Sequence, residues 1–197
     1  YIEVDSLNQK EKLEKSYDEF YSLAQSSGVE IVEATKFKQK IPITSSFISK
    51  GKLDQIKNEL IGLDVDLIII NHQLSASQNR NLENFFVKRV IDKTELILDI
   101  FATRASSYIG KLQVELAQLK HLSTRLIRGW THLERQKGGI GLRGPGETQL
   151  ETDRRLIGKR IKRLNLRLDK AHKQREINRY SRKKSRNKLV ALVGYTN

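Results

Sequence analysis

Residues 138–155 read GGIGLRGPGETQLETDRR, and this stretch decides how the rest of the chain is arranged. Its first nine residues include five glycines and one proline, which interrupt any helix that reaches them. Arg135 and Lys137 precede the glycines and suit the negative end of a helix. Thr148 and Glu151 have the spacing of a capping box, which predicts a helix start. The stretch is therefore predicted to join two helices.

Both flanking segments carry apolar residues at helical spacing. Before the glycines, steps of four and three residues alternate through Leu112, Leu116, Leu119, Ser123, Leu126, Trp130 and Leu133. After them, a second stripe consists of Leu150, Ile157, Ile161, Leu164, Leu168 and Ala171. Two such helices joined by a short loop pack antiparallel, each roughly 45 to 55 Å long at about 1.5 Å per residue. We expect a helical hairpin over residues 101–187, with its tip at residues 138–146.

The first hundred residues alternate short apolar runs with amphipathic segments, which is typical of an α/β unit. Strands are expected at residues 1–4, 29–34, 65–70 and 88–91. Ser75 and Gln78 form a capping-box pair for one of the intervening helices. Because strands that alternate with helices form parallel sheets with right-handed crossovers, residues 1–100 are predicted to be a small parallel-sheet α/β subdomain.

Charge is concentrated in the second half of the chain. The sequence has 37 Lys and Arg against 23 Asp and Glu, a net charge of +14. Residues 1–100 carry 13 bases and 16 acids, whereas residues 101–197 carry 24 and 7. Residues 154–188 alone hold 16 bases against two acids. Unpaired like charges repel along a helix, so the pattern favours a polyanionic partner. Nucleic acid fits better than a membrane surface, because the apolar stripe already faces the other helix.

The nine-residue tip is longer than a helix–helix turn requires. Its glycines permit close backbone approach, Arg143 offers a planar donor for phosphate or base, and Ile140 and Leu142 are suited to wedging against bases. Pro145 restricts the loop. Contact with folded RNA is favoured over a flexible turn, which remains the alternative. The residues predicted to contact RNA are Gly138, Gly139, Ile140, Gly141, Leu142, Arg143, Gly144, Pro145, Gly146, Arg154, Arg155, Lys159, Arg160 and Arg163.

Several classes of site are disfavoured. The chain has no cysteine and four histidines, which excludes disulfides and thiolate metal sites and favours a cytosolic compartment. No apolar run of about 18 residues is present to span a membrane. Residues 139–144 match the GxGxxG pattern, but they follow a predicted helix, whereas the dinucleotide fingerprint follows a strand.

The last ten residues, 188–197, resemble the start of a nucleotide-binding domain. Leu189–Val193 is a buried-strand pattern, and Gly194 follows it at once, as at the start of a P-loop. The second Gly, the Lys and the Ser/Thr of that motif would fall beyond Asn197. We therefore expect this sequence to be part of a longer polypeptide and to lack GTP hydrolysis on its own.

At this point a family resemblance becomes clear. The segments KLQVELAQL at residues 111–119, GGIGLRGPGETQLETDRR at 138–155 and LVGYTN at 192–197 closely resemble the HflX family of ribosome-associated GTPases. The resemblance is very specific over residues 111–155 and looser before residue 88. It implies an α/β fold: a small parallel-sheet subdomain, a long antiparallel two-helix hairpin, and then the first strand of a P-loop G domain that is otherwise missing.

The resemblance also implies a function. It implies binding to the large ribosomal subunit and its rRNA near the peptidyl transferase centre, and dissociation of stalled ribosomes under stress. GTP and Mg²⁺ would bind in the missing part of the G domain, whose opening is matched by Gly194, Tyr195, Thr196 and Asn197. No catalytic or metal-binding residue is expected within this sequence. The protein is expected to be a cytoplasmic monomer without a membrane span.

The sequence leaves two alternatives open. The hairpin would also suit a coiled-coil protein-interaction module with a basic face and no nucleotide chemistry. Alternatively, the α/β unit would be an independent nucleotide-binding enzyme, with His72 and Asp66 beside the strand at 65–70 as its polar groups. No Gly-rich strand-to-helix turn supports the enzyme, and a structural role for His72 is favoured.

Overall fold

The computed structural model describes residues 1–4, 11–129 and 145–184, and the side chains of residues 1–4, 16–126 and 151–184. In these ranges the strands are β1 (Ile2–Val4), β2 (Phe37–Gln39), β3 (Leu67–Ile70) and β4 (Arg89–Asp92). The helices are α1 (Glu11–Ser26), α2 (Lys50–Glu59), α3 (Ala76–Phe86), α4 (Lys93–Arg104), α5 (Tyr108–Gly129) and α6 (Pro145–Lys184). The chain has the predicted α/β fold, with small parallel sheets followed by long helices.

The strands form two parallel pairs, which the Asn71 side chain helps to connect. β1 pairs with β2, with Ile2 opposite Phe37, and β3 pairs with β4. Asn71 directly follows β3, and its buried amide makes two hydrogen bonds to the backbone of Ile2. Its Oδ1 accepts the Ile2 N–H at 2.8 Å, and its Nδ2 donates to the Ile2 carbonyl at 3.0 Å. The Asn71 side chain thus takes the place of a strand residue between the two pairs.

The strand predicted at residues 29–34 is wrong. These residues have no regular secondary structure, and the second strand is instead β2, at Phe37–Gln39. Val32 is half exposed, whereas Phe37 is buried in the core beside Ile2. The Phe37 N–H also donates to the Tyr1 carbonyl at 3.1 Å. Pairing with β1 and burial of an aromatic ring therefore decide where the strand lies, despite the β-branched residues before it.

Two apolar clusters hold the α/β unit together. The larger one lies around β1, β2, α2 and α3, and Leu82 and Val90 at its centre are almost inaccessible to solvent. The second one consists of Ala24, Ile91, Leu96 and Ile100, and it packs α1 and α4 on the other side of β3 and β4. The capping box predicted for α3 is confirmed, with the Ser75 and Gln78 side chains each bonded to the other's backbone N–H.

α5 and α6 pack along the predicted apolar stripes. Leu112 on α5 clusters with Leu164 and Leu168 on α6, and Ile109, Leu116 and Leu119 pack against them. Nearer the start of α6, Arg160 pairs with Glu115, further along α5, so the two helices run antiparallel. α6 has 40 residues and is about 60 Å long at about 1.5 Å per residue. Trp130, Leu133 and Leu150 lie outside the described side chains.

Candidate nucleic-acid interface

The basic residues of α6 lie in solvent. Every Lys and Arg within residues 154–184 is exposed, whereas the positions that face α5 are buried or half-buried. This arrangement follows from the sequence, because the apolar stripe turns toward α5 and leaves the bases between its members on the other sides. The same segment contains only two acids, Asp169 and Glu176. The surface of α6 over residues 154–184 is therefore strongly cationic.

Four of the five basic α6 residues predicted to contact RNA, Arg154, Arg155, Lys159 and Arg163, are exposed. The fifth, Arg160, is also exposed, but its Nε and Nη2 both donate to Oε1 of Glu115, at 2.9 and 2.6 Å. A solvent-exposed ion pair is worth at most about 1 kcal/mol. Arg160 is thus available to exchange this carboxylate for a phosphate at small cost.

The tip of the hairpin lies mostly outside the described residues. This applies to the predicted contacts Gly138, Gly139, Ile140, Gly141, Leu142, Arg143 and Gly144. Pro145 and Gly146 are the first residues of α6. The helix therefore starts before Thr148, and the predicted start at the Thr148–Glu151 capping box is wrong. Proline suits the first helical position because its fixed φ matches the helix and because an N–H at that position would have no acceptor within the helix. The candidate GTP-binding residues Gly194, Tyr195, Thr196 and Asn197 also lie outside the described residues.

A buried ion-pair network joins the hairpin to the α/β unit. Asp92, at the end of β4, has a fully buried side chain that accepts the Leu74 N–H at 3.1 Å and the Glu95 N–H at 2.8 Å. Nη2 of Arg125, from α5, lies 3.1 Å from Asp92 Oδ2 as an ion pair, although it is not aligned for a hydrogen bond. Nη1 of Arg125 donates to Glu95 Oε2 at 2.6 Å, and Arg89 pairs with the other oxygen of Glu95.

Through this network α5 is tied to the end of β4 and the start of α4, and α5 also packs against α3 and α4. Sequence reasoning missed it. Asp92 directly follows an apolar strand and precedes a helix, which is a recognisable N-cap signal. Arg125, however, lies in a generally basic half of the chain, and nothing in the sequence distinguishes it from its exposed neighbours.

His72 has a structural role. Its Nε2 lies 2.8 Å from the Ile2 carbonyl, and its ring packs against Phe47 with centroids 5.0 Å apart. Burial lowers the pKa of His72, and Lys93 acts in the same direction, while the bond to the Ile2 carbonyl opposes them. Asp66 is exposed. The two residues do not form a catalytic pair.

The α/β unit contains a cavity of about 640 Å³ between α1, residues 29–35 and β3. Its lining is largely apolar. The charged side chains that line it are Glu30, Glu33, Asp64 and Asp66, all of them acidic. Four carboxylates repel phosphate groups, so the cavity does not suit the nucleotide of an independent enzyme. Within the described ranges there is no cluster of three metal-ligating side chains, and no helix there is long and apolar enough to cross a membrane.

Comparisons with known protein families match most of the chain. Residues 14–102 match the family model "GTP-binding GTPase N-terminal", and residues 104–182 match "GTP-binding GTPase Middle Region". The chain is 55% identical to the GTPase HflX of Escherichia coli K12 over 179 residues, covering 91% of this chain and 42% of that protein. It is 45% identical to the GTPase HflX of Caldanaerobacter subterraneus, covering 93% and 43%. It thus spans less than half the length of these curated relatives.

Solved structures support the fold. A crystal structure of SsGBP in complex with GDP superposes with a TM-score of 0.62 at 23% identity, covering 89% of this chain and 44% of that one. A GTP-binding protein from Sulfolobus solfataricus, also in complex with GDP, gives a TM-score of 0.56 at 22% identity, covering 87% and 44%. The two family models and the sequence identity to several HflX proteins show that the chain belongs to the HflX family of GTPases.

Proposed function

We propose that this chain is the rRNA-binding part of a ribosome-associated GTPase that binds the large ribosomal subunit and dissociates stalled ribosomes under stress. The observation that carries the proposal is the exposed basic surface of α6 over residues 154–184, where only Asp169 and Glu176 are acidic. A like-charged helix of this length is costly to maintain in isolation, and a polyanion removes that cost. Membership of the HflX family supports the ribosome as the source of the polyanion.

In this proposal the hairpin acts mechanically. Arg154, Arg155, Lys159 and Arg163 contact rRNA phosphates, and Arg160 joins them by releasing Glu115. The tip at residues 138–146 then enters rRNA loops near the peptidyl transferase centre. Dissociation requires the hairpin to bind the free large subunit more tightly than the intact ribosome, since a ligand shifts an equilibrium only by its differential affinity.

The nucleotide chemistry belongs to the rest of the protein in this proposal. Gly194, Tyr195, Thr196 and Asn197 begin the GTP-binding segment, and residues beyond Asn197 supply the lysine and hydroxyl that hold GTP and Mg²⁺. GTP favours the state that binds the ribosome, and its hydrolysis releases the protein. We accordingly assign residues 1–100 to the α/β subdomain, 101–187 to the hairpin and 188–197 to the G domain. The protein acts as a cytoplasmic monomer, and this chain alone does not hydrolyse GTP.

The proposal is tested by neutralising four bases of α6 and measuring binding to purified large subunits at several salt concentrations. The variant carries Arg154→Gln, Arg155→Gln, Lys159→Gln and Arg163→Gln. The slope of log K against log salt is negative, and each lost phosphate contact reduces its steepness by about 0.7 to 0.9, so we expect it to become less steep by about 3.

A control with the same change in charge uses four exposed lysines of the α/β unit, Lys40, Lys50, Lys57 and Lys88, each replaced by Gln. We expect this variant to retain the wild-type slope. An equal reduction of the salt dependence in both variants would mean that α6 is not the interface.

The tip is tested separately by combining Arg143→Ala with removal of some of the glycines. Binding to large subunits should weaken, while the far-UV circular dichroism of the chain stays that of a folded protein. Unchanged co-sedimentation with ribosomes would contradict the role of the tip. Nuclease treatment then separates the RNA-binding proposal from the coiled-coil alternative, because a protein partner would survive it.

A further inference from the structure

The side of α6 that faces away from α5 carries exposed apolar residues in a line. The large hydrophobic side chains exposed on the described part of this helix are Leu156, Leu166, Ile177 and Tyr180, each more than half accessible to solvent. Single exposed apolar residues are ordinary, but an aligned set on a helix marks a contact surface. At about 100° per residue all four lie within about 120° of the helix circumference, on the side opposite Leu164 and Leu168.

The same row contains five bases. We call it the outward stripe, and its members are Leu156, Lys159, Arg163, Leu166, Lys170, Lys173, Ile177, Tyr180 and Lys184. Steps of three and four residues alternate along it. Between Lys159 and Lys173, each member of the outward stripe comes two residues after a member of the apolar row that packs on α5. Two residues correspond to a rotation of about 160° around the helix axis, so the two rows lie on nearly opposite sides of α6. Asp169 and Glu176 lie off the row. The outward stripe therefore contains only apolar and cationic side chains.

A helix of another protein fits the outward stripe poorly. A coiled-coil seam needs apolar residues in successive layers. Here the pair Lys159 and Arg163 interrupts the row, and so does the pair Lys170 and Lys173. Helical spacing separates the centres of these two basic pairs by about 16 Å at 1.5 Å per residue. Cations in pairs with apolar side chains between them suit a chain of phosphates that carries flat, partly apolar bases.

The end of the outward stripe has the most suitable chemistry for a base. Tyr180 is the aromatic member of the stripe, and 67% of its surface is accessible. The Lys184 ammonium lies 5.7 Å from the centre of its ring, which places a cation next to the aromatic face. Ile177 lies one turn before Tyr180. An unpaired base can stack on such a ring while its phosphate meets the neighbouring lysine, whereas bases within a duplex are already stacked on each other.

We propose that the outward stripe binds unpaired nucleotides of RNA, with Tyr180 and Ile177 contacting bases and Lys170, Lys173 and Lys184 contacting phosphates. This inference rests on the proposed function, because it needs the hairpin to bind RNA. It adds the face of α6 that makes the contact and the class of RNA that is preferred.

The experiment uses the full chain and fluorescence anisotropy with two probes, a labelled oligouridylate and an RNA duplex of the same length. The test variant combines Ile177→Ala and Tyr180→Ala, which preserve the charge and the helix propensity. Loss of stacking should weaken oligouridylate binding about tenfold or more, with little change for the duplex. Tyr180→Phe keeps the ring and should bind oligouridylate as the wild type does.

A matched control removes two exposed isoleucines of the α/β unit through Ile41→Ala and Ile61→Ala, and we expect it to leave both affinities unchanged. Wild-type affinity of the Ile177→Ala, Tyr180→Ala variant for oligouridylate would overturn the inference and leave the proposed function intact. An equal loss for both probes would also overturn it. A wild-type chain that binds neither RNA would refute the inference and the proposed function together.

Discussion

Removing Arg125 should destabilise the protein far more than removing any other ion-paired arginine of the hairpin. Arg125→Met keeps much of the side-chain volume but leaves the Asp92 carboxylate, which is fully buried, without its cation at 3.1 Å. Removing one partner of a buried pair costs about 3 to 5 kcal/mol. The lower end applies here, because two backbone N–H groups continue to stabilise Asp92 and Arg125 itself is 18% exposed. We therefore expect a loss of about 3 kcal/mol.

The assay is urea denaturation followed by far-UV circular dichroism, with Arg160→Met as the matched control. Arg160 pairs with Glu115 in solvent, so its loss should cost no more than about 1 kcal/mol. The double variant Asp92→Asn with Arg125→Met should cost less than the two single changes together, with a coupling of about 1 to 3 kcal/mol. If Arg125→Met and Arg160→Met lower the free energy of unfolding by equally small amounts, the network does not hold α5 on the α/β unit.

Three further predictions concern the fold. Because burial lowers the pKa of His72 from 6.5, the free energy of unfolding should fall as the pH drops below 6.5, when the unfolded chain takes up a proton that the native state resists. In His72→Gln, chemical denaturation at several pH values should show a smaller fall, and a fall equal to that of the wild type would contradict the role of His72. Leu164→Ala should cost about 2 to 5 kcal/mol, because Leu164 is buried between α5 and α6, and a change below 1 kcal/mol in urea denaturation would contradict that packing. Ser75→Ala should cost about 0.5 to 2 kcal/mol by removing the α3 cap, whereas an unaltered midpoint of thermal unfolding would show that the cap contributes nothing.

The sequence predicted the hairpin well because its packing is periodic and local. The row from Ile157 to Ala171 has at least one apolar side chain per helical turn. Its members therefore share one face of the helix, whatever that face packs against. The capping box at Ser75 and Gln78 is likewise a local pattern that needs no tertiary information. The exposure of the bases on α6 followed from the same periodicity.

Features that depend on distant partners were not predictable in the same way. Residues 29–34 have strand propensity, but pairing with β1 places the strand at Phe37–Gln39. Asn71 joins the two strand pairs through its side chain, 69 residues from its partner Ile2. Arg125 reaches Asp92 across helix and strand, and only the folded structure separates this base from the exposed ones. Such contacts depend on how distant helices and strands pack together, and the local sequence does not predict them.

The proposed function requires the tip of the basic hairpin to meet rRNA of the large ribosomal subunit. Because the chain has no cysteine, Leu142→Cys gives a single site for a thiol-reactive photocrosslinker. After irradiation with purified large subunits, we predict crosslinks to rRNA near the peptidyl transferase centre. Crosslinks to ribosomal proteins alone, or none above those of an uncoupled chain, would contradict the account.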